Sequence, residues 1–413
     1  MSEQRERWMK GAVAAGAAIG GLTILGATAK GQGKGFKIGL IGCGGRGNGA
    51  LGNHMAATKH LGLDSKVVAT CDYFKSKAER TGGKYGVPKE KCFGSPNGYK
   101  DFLKTDVEIV LIATSPNFRP VHYEAAIKAG KHVFMEKPVC VDPPGGRRII
   151  EAGELAKKNG LATVAGTQRR HSRGYQQRAF RIKAGVEGKV AGGAVYWCGG
   201  RLWFRTRNDG ESDADYMVRN WVSFTEMSGD HIVEQHVHNL DIANWFIGNP
   251  PVAAHGFGGR HRRKTANQYD FHSVDFDYGD NVHIHSMCRQ ISGCWNRVGE
   301  HFVYNPATKV EKPDLKVPDF EEHGGAYVQE HTDLLRSILA EKPLNEARNV
   351  GESSLTAVMG RLATYTGQEI KWADMMKPNG KWYGFTCKPT AEDFETGKVV
   401  APKDDVVAVP GKG

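Results

Sequence analysis

Two stretches of this chain carry residue types that could do chemistry together. The first is His132-Val133-Phe134-Met135-Glu136-Lys137-Pro138. The second, about a hundred residues later, packs Glu234, His236, His238 and Asp241 into eight positions. A lysine ammonium can hold a hydroxyl or carbonyl oxygen, and an imidazole can take the proton that such a hydroxyl loses. At helical spacing Glu234, His238 and Asp241 share a face, where a carboxylate one turn away can orient the imidazole. A solvated strand-end lysine and a structural histidine would satisfy the same patterns, so the surrounding elements must decide.

Those elements read as an α/β domain. Lys131 to Met135 is a short β-branched and aromatic strand, and Pro138 restricts Lys137 to an extended backbone at its carboxyl end. Ligands of open α/β sheets bind at that edge. Phe36 to Ile41 reads as a buried parallel strand running into Gly42-Cys43-Gly44-Gly45-Arg46-Gly47. Gly42, Gly44 and Gly47 match the dinucleotide-binding spacing: a tight turn, room for a pyrophosphate, and close packing of helix on strand. In a chain with 53 glycines that match alone is weak. It is strengthened by a second strand, Lys66 to Cys71, ending at Asp72 about 25 residues past the last glycine, where a carboxylate meets ribose hydroxyls. Asp72 favours NAD, and Lys75 and Lys77 keep NADP open. A third strand, Val107 to Ala113, leads into Thr114-Ser115-Pro116-Asn117. The expected cofactor contacts are Gly42, Gly44, Gly45, Arg46, Gly47, Asp72, Thr114, Ser115, Asn117, Glu136 and Lys137.

Taken together, the glycine loop, Asp72, the Ala-Thr-Ser-Pro-Asn turn and Gly130-Lys131-His132-Val133-Phe134-Met135-Glu136-Lys137-Pro138 resemble the Gfo/Idh/MocA oxidoreductases. The resemblance covers residues 36 to about 372. It implies a Rossmann domain (36–160) joined to a substrate-binding α+β domain (161–372) with an open, mainly antiparallel sheet. It also implies NAD(P)-dependent hydride transfer from a sugar, glycoside or cyclitol hydroxyl, and a homo-oligomer. The family pattern Gly-Gly-x-x-x-Asp-x-Gly-x-His-x-x-Asp places His238 on the catalytic histidine and Asp241 on the closing aspartate. Glu234 replaces the family's Asp and His236 its Gly. The implied catalytic set is Lys137, His238 and Glu234, with Glu234 steering the imidazole. Arg169, Arg170, His171, His236 and Asp241 are expected to meet the substrate; an interdomain salt-bridge cluster is the other reading of the first three.

No metal is expected, although Glu234, His236 and His238, with His231 or His171, would make an alternative ligand set. Two further readings stay open. One is a redox-neutral glycoside hydrolase or lyase that retains its NAD; the other is a non-catalytic exported sugar-binding protein. Trp203, Phe204 and Trp221 would suit either sugar stacking or plain core packing.

The 413 residues suffice for two cored domains. A formal charge of +11 permits an acidic partner, but the one basic run, Arg260 to Lys264, lacks any nucleic-acid motif and reads as a solvated or substrate-side loop. The eight cysteines show no zinc or disulfide spacing. Residues 1–29 combine a basic start, an apolar Ala/Gly stretch and Ala27-Thr28-Ala29, a signal-peptide pattern. The stretch resembles a twin-arginine leader with Glu6 at the second arginine position. Export to a periplasm is therefore expected, with a cytoplasmic location as the alternative and no stable membrane insertion after cleavage. Residues 373–413 lose periodicity and read as an arm laid on the surface or on a neighbouring subunit.

Overall fold

The computed structural model describes residues 35–412. The expected leader lies outside the described residues. The first sheet contains β1 (Lys37–Ile41), β2 (Lys66–Asp72), β3 (Cys92–Gly94), β4 (Ile109–Ile112), β5 (His132–Met135) and β6 (Thr163–Ala165). All neighbours are parallel, in the order β3-β2-β1-β4-β5-β6. Such a sheet is covered on both faces, which is why its strands are apolar runs without alternation. Ile38 and Leu40 face one helical layer, and Ile41 the other. The sheet runs past residue 160, because β6 pairs with β5.

The second sheet holds β7 (Lys189–Gly199), β8 (Ala253–Gly259), β9 (Phe271–Asp277), β10 (His283–Gln290), β11 (Arg297–Asn305) and β12 (Ile370–Lys371). Its order is β11-β7-β10-β9-β8-β12, antiparallel except where β7 meets β10. Burial alternates strictly along β9, as expected when one face packs and the other meets water. The packed face sits on the helices Val237–Ile247 and Ala347–Thr366. Phe257, Val298 and Val303 stand exposed in the remaining strands.

Two sequence expectations change. The apparent helix from Ser228 to Ile247 is three pieces, Thr225–Ser228, His231–Glu234 and Val237–Ile247. Gly229 (φ 82°) and Asp230 (φ 74°) adopt the left-handed side of backbone space, which interrupts the helical phase. The sequence predicts helices over Tyr327 to Leu339 and Leu355 to Thr366 with a loop at Glu346 to Ser353 between them, and that loop is helical from Ala347 onward. The C-terminal arm lies on this chain's own first domain: Phe394, in the helix Ala391–Thr396, packs 5.0 Å from the Phe118 ring. Tyr99 Oη also donates to Glu395 there, at 2.7 Å. The helix Ala326–Leu339 likewise returns to the first domain and buries Leu334 and Leu335, each worth about 1.5–3 kcal/mol. No helix among the described residues is long and apolar enough to cross a membrane.

Candidate active site

The carboxyl ends of β1 and β5 and the first turns after β7 enclose a cavity of about 610 Å³ between the two sheets. Gly44, Gly45 and Arg46 line one side, and Lys137, Glu234 and His238 another. That volume is ordinary for a small-molecule site. Lys137 follows β5 directly, and its Nζ donates to the Glu234 main-chain oxygen at 2.6 Å. The Glu234 carboxylate stands 3.5 Å from the same nitrogen, and its other oxygen accepts from Gln235 Nε2. Glu234 thus fixes the lysine. The expected steering of His238 by Glu234 gives way to this contact, because the break at Gln235-His236 puts the two residues on different helices.

His238 opens the helix Val237–Ile247 and lays its ring nearly parallel to Trp197, with centroids 5.7 Å apart. Burial pushes its pKa well below the usual imidazole value, and the charges of Lys137, Arg169 and Arg46 add to the effect. A neutral imidazole can accept a proton. An ammonium beside it can donate a hydrogen bond to the oxygen that loses one.

The glycine loop is shaped for a phosphate group. Gly42 has φ 98°, and a Cβ there would sit 2.5 Å from the Ala113 carbonyl carbon. At Gly47 a Cβ would fall 1.8 Å from Gly42 O, so helix and strand approach as only glycine permits. At Gly44 and Gly45 a Cβ would meet nothing within 4 Å: the backbone there borders open space. The helix Gly45–His60 has no side-chain cap and no acid in its first turn, so its free N–H groups suit an anion. Asp72 ends β2, with Oδ2 accepting from Cys43 N at 2.8 Å and Oδ1 from Phe74 N at 2.9 Å. Burial raises its pKa, while those N–H groups and the charge of Lys77 oppose the rise. Each oxygen can accept a second hydrogen bond, and the groove beside it is lined by Tyr73, Thr114 and Phe118. Arg46 pairs with Glu136 and so ties the loop to the end of β5. These features fit a dinucleotide.

Residues 36–166 match the model of an oxidoreductase family with an NAD-binding Rossmann fold, Gfo/Idh/MocA. Over those residues, about a third of its length, the chain is similar to the Gfo/Idh/MocA NAD-binding domain. Inositol 2-dehydrogenase of Salmonella typhimurium is 32% identical over 156 residues, 37% of this chain and 43% of that protein. The NAD⁺-dependent scyllo-inositol 2-dehydrogenase of Bacillus subtilis is 27% identical over 197 residues, 47% of this chain and 50% of that protein. The chain thus aligns with about half, or less, of these curated relatives. Whole-chain likeness comes from folds. Scyllo-inositol dehydrogenase of Lactobacillus casei superposes with a TM-score of 0.62 at 18% identity, covering 82% of this chain and 99% of that one. Levoglucosan dehydrogenase, solved with NADH and levoglucosan, gives 0.60 at 14%, again covering 82% and 99%.

The remaining candidates divide by the direction they face. Thr114 Oγ1 lies 3.3 Å from His122 Nδ1 beside the Asp72 groove, and Ser115 Oγ donates to Asn117 Oδ1 at 2.9 Å. Arg169 pairs with Glu300, which also accepts from Asn239 at 2.7 Å; the guanidinium lies 5.9 Å from the Trp197 ring. The others sit behind the cavity wall, contrary to the substrate-binding expectation. Arg170 makes three buried bonds to Asp241, at 3.1, 2.9 and 2.8 Å, and Ser353 donates to the same carboxylate at 2.7 Å. His171 bridges Asp333 (2.7 Å) and Glu346 (3.2 Å). Burial opposes its charge, but the two carboxylates outweigh burial and raise its pKa well above the usual value. His236 turns to Ser286 on β10, 2.8 Å away, and burial lowers its pKa to about 3. All four side chains already have protein partners; for Arg170 and His171 these are ion pairs, in line with the salt-bridge reading given to them with Arg169.

For the same reason Glu234, His236 and His238 do not converge as metal ligands. Among the described residues one group has ligand atoms within 4.8 Å of one another: Asp230, His231 and His272. Trp197 and Tyr327 are among the cavity residues that escaped sequence reasoning. Trp197 carried a signal, since it sits within a strand that the sequence places in the substrate sheet. Tyr327, whose ring lies 4.8 Å from the Arg46 guanidinium, carried none, because a distant helix delivers it.

Proposed function

We propose that this protein oxidises a ring hydroxyl of a sugar, glycoside or cyclitol, using NAD or NADP held by the glycine loop and Asp72. The observation that carries the reading is one cavity presenting Lys137 and a neutral His238 beside the open backbone of Gly44 and Gly45. A nicotinamide held by the glycine loop and Asp72 would supply the acceptor for the hydride of the carbinol carbon. His238 takes the hydroxyl proton. Lys137, held through Glu234, hydrogen-bonds the oxygen as it becomes a carbonyl. Trp197 covers one face of the imidazole and keeps water from it. Inositol and levoglucosan dehydrogenases among the relatives and structural neighbours fit this substrate class.

Formation of NADH by the purified full chain with glucose, galactose and myo-inositol tests the reading. His238→Ala and Lys137→Ala should each lose about 10²–10⁴-fold in turnover. Near-full turnover in either variant would refute the assignment. Nucleotide released by acid denaturation separates the related redox-neutral reaction: stoichiometric NAD(H) together with cleavage of an aryl glycoside, without net NADH, would replace simple oxidation. Export and self-association through the exposed face of the second sheet also belong to this proposal. The leader-like sequence supports the first and the apolar Phe257 and Val303, which share that face, the second. N-terminal sequencing of the mature protein and its sedimentation mass test them.

A further inference from the structure

The cavity holds more aromatic surface than one reacting ring requires. Three tryptophans line it, and they fall into two sets. Trp197 stacks on His238 at the reacting end. Trp203 and Trp221 meet each other instead, with centroids 6.0 Å apart and planes at 73°. Trp203 is 46% exposed, which puts it at the solvent side of the cavity.

An indole left this exposed is usually unconstrained, yet the segment that carries it is tied down. Arg201 N donates to Ser292 Oγ at 3.3 Å, and its guanidinium to Thr265 Oγ1 at 2.6 Å. Arg219 donates to Thr206 O at 2.7 Å. The side-chain oxygen of Asn220, which is fully buried, accepts from Arg205 N at 2.7 Å and from Ser223 Oγ at 3.2 Å. Asn220 precedes Trp221, and Arg205 lies two residues after Trp203. One buried amide therefore sets both indoles. The Arg205 guanidinium lies 6.0 Å from the Trp203 ring, a cation over an aromatic face.

We propose that Trp203 and Trp221 form a subsite for a second ring, so that the substrate is a glycoside whose oxidised sugar carries a further glycosyl unit. Two indoles at a steep angle make a corner that accepts the C–H face of a pyranose on one wall and its edge on the other. Such rigid aromatic walls contribute contact area at little entropic cost. This inference rests on the proposed sugar oxidation and adds the size of the molecule oxidised.

The test compares full-chain protein with its Trp203→Ala and Trp203→Phe variants, using glucose, galactose, cellobiose and lactose. The readouts are KM and kcat from NADH formation, and Kd from calorimetry. The ratio of disaccharide KM to monosaccharide KM should rise about ten-fold in Trp203→Ala while kcat changes little, and Trp203→Phe should restore most of the loss. An unchanged ratio overturns the subsite, as does failure of both disaccharides to bind the parent. Disaccharide binding that depends on Trp203 without any NADH would overturn the proposed oxidation and leave the subsite standing. NADH formation from the sugars with a disaccharide KM that does not depend on Trp203 would do the reverse.

Discussion

Lys137, Glu234 and His238 at the cavity, and Asp230, His231 and His272 behind it, are two clusters of a carboxylate with nitrogen-bearing side chains, built partly from one nine-residue stretch. Their surroundings differ. Asp230 Oδ1 accepts from His231 N and lies 2.8 Å from His231 Nδ1; Oδ2 accepts from Tyr269 N at 3.0 Å and Tyr365 Oη at 2.5 Å. His272 Nε2 stands 3.4 Å away. Burial opposes the Asp230 charge, but His272 and His231 outweigh it and hold the carboxyl well below its usual pKa. Every side of this carboxylate is answered by protein, which makes it a brace joining β9 to the helix Ala347–Thr366. His238 is neutral and borders open cavity. Residue type is shared by the two clusters; what separates structure from chemistry is whether partners saturate the polar atoms or leave them facing space.

The comparison breaks first at His238. His238→Ala should cost about 10²–10⁴-fold in kcat yet shift unfolding by less than about 1 kcal/mol, since no buried partner is orphaned. The acid limb of the parent's kcat should lie below the ordinary imidazole range, because the folded pKa is depressed. A Tm loss that accounts for the whole activity loss would make His238 a second brace. Asp230→Ala should invert the pattern. Removing one member of a buried charge network costs about 3–5 kcal/mol, read as a fall in the urea midpoint. The molecules still folded should keep near-parent turnover. A stable but inactive Asp230→Ala protein would move that cluster into the chemistry.

What the chain's letters disclosed follows the same division. The glycine loop, Asp72 and the strand-end Lys137 were legible because each answers a local backbone demand: a turn at Gly42, closeness at Gly47, a strand terminus. The facing of Arg170, His171, His236 and Asp241 was not, since type and spacing do not say which partner lies opposite. Gly229-Asp230 carried a readable warning, a glycine inside the supposed helix, but it was the second break, at Gln235-His236, that removed the Glu234–His238 pairing. β11 was missed for a different reason. It is an edge strand with Phe302 its one buried residue, so it lacks the alternation that marked β9 and β10.

Asp72 sharpens the comparison, for it braces and faces a groove at once. Its oxygens accept two backbone N–H groups and still border the groove beside Thr114. Hydrogen bonds to a charged group contribute about 1.5–3 kcal/mol, so Asp72→Ala should weaken NAD binding roughly ten- to hundred-fold. NADP should lose less, because the carboxylate that repels a 2′-phosphate goes with the substitution. Fluorescence titration with each nucleotide measures the ratio. Equal losses for both would leave Asp72 as a brace alone.

His236 supplies the smallest and most specific test. It lies two residues before His238 but turns to Ser286, and burial holds its pKa near about 3. In the unfolded chain it binds a proton below about 6.5. Between those limits the unfolded state carries the extra proton. The neutral histidine's contribution is therefore intact above the upper limit and is lost as the pH falls toward the lower. The slope approaches about 1.4 kcal/mol per pH unit. His54 and His122, both buried with pKa lowered to about 3, add slopes of the same sign. His236→Gln keeps a polar atom for Ser286 and removes the titration, so its stability should converge on the parent's as the pH is lowered. Urea midpoints across that window read the difference. A constant gap between parent and variant would mean that His236 is protonated in the fold, and would return it to the charged, solvent-answering side of the comparison.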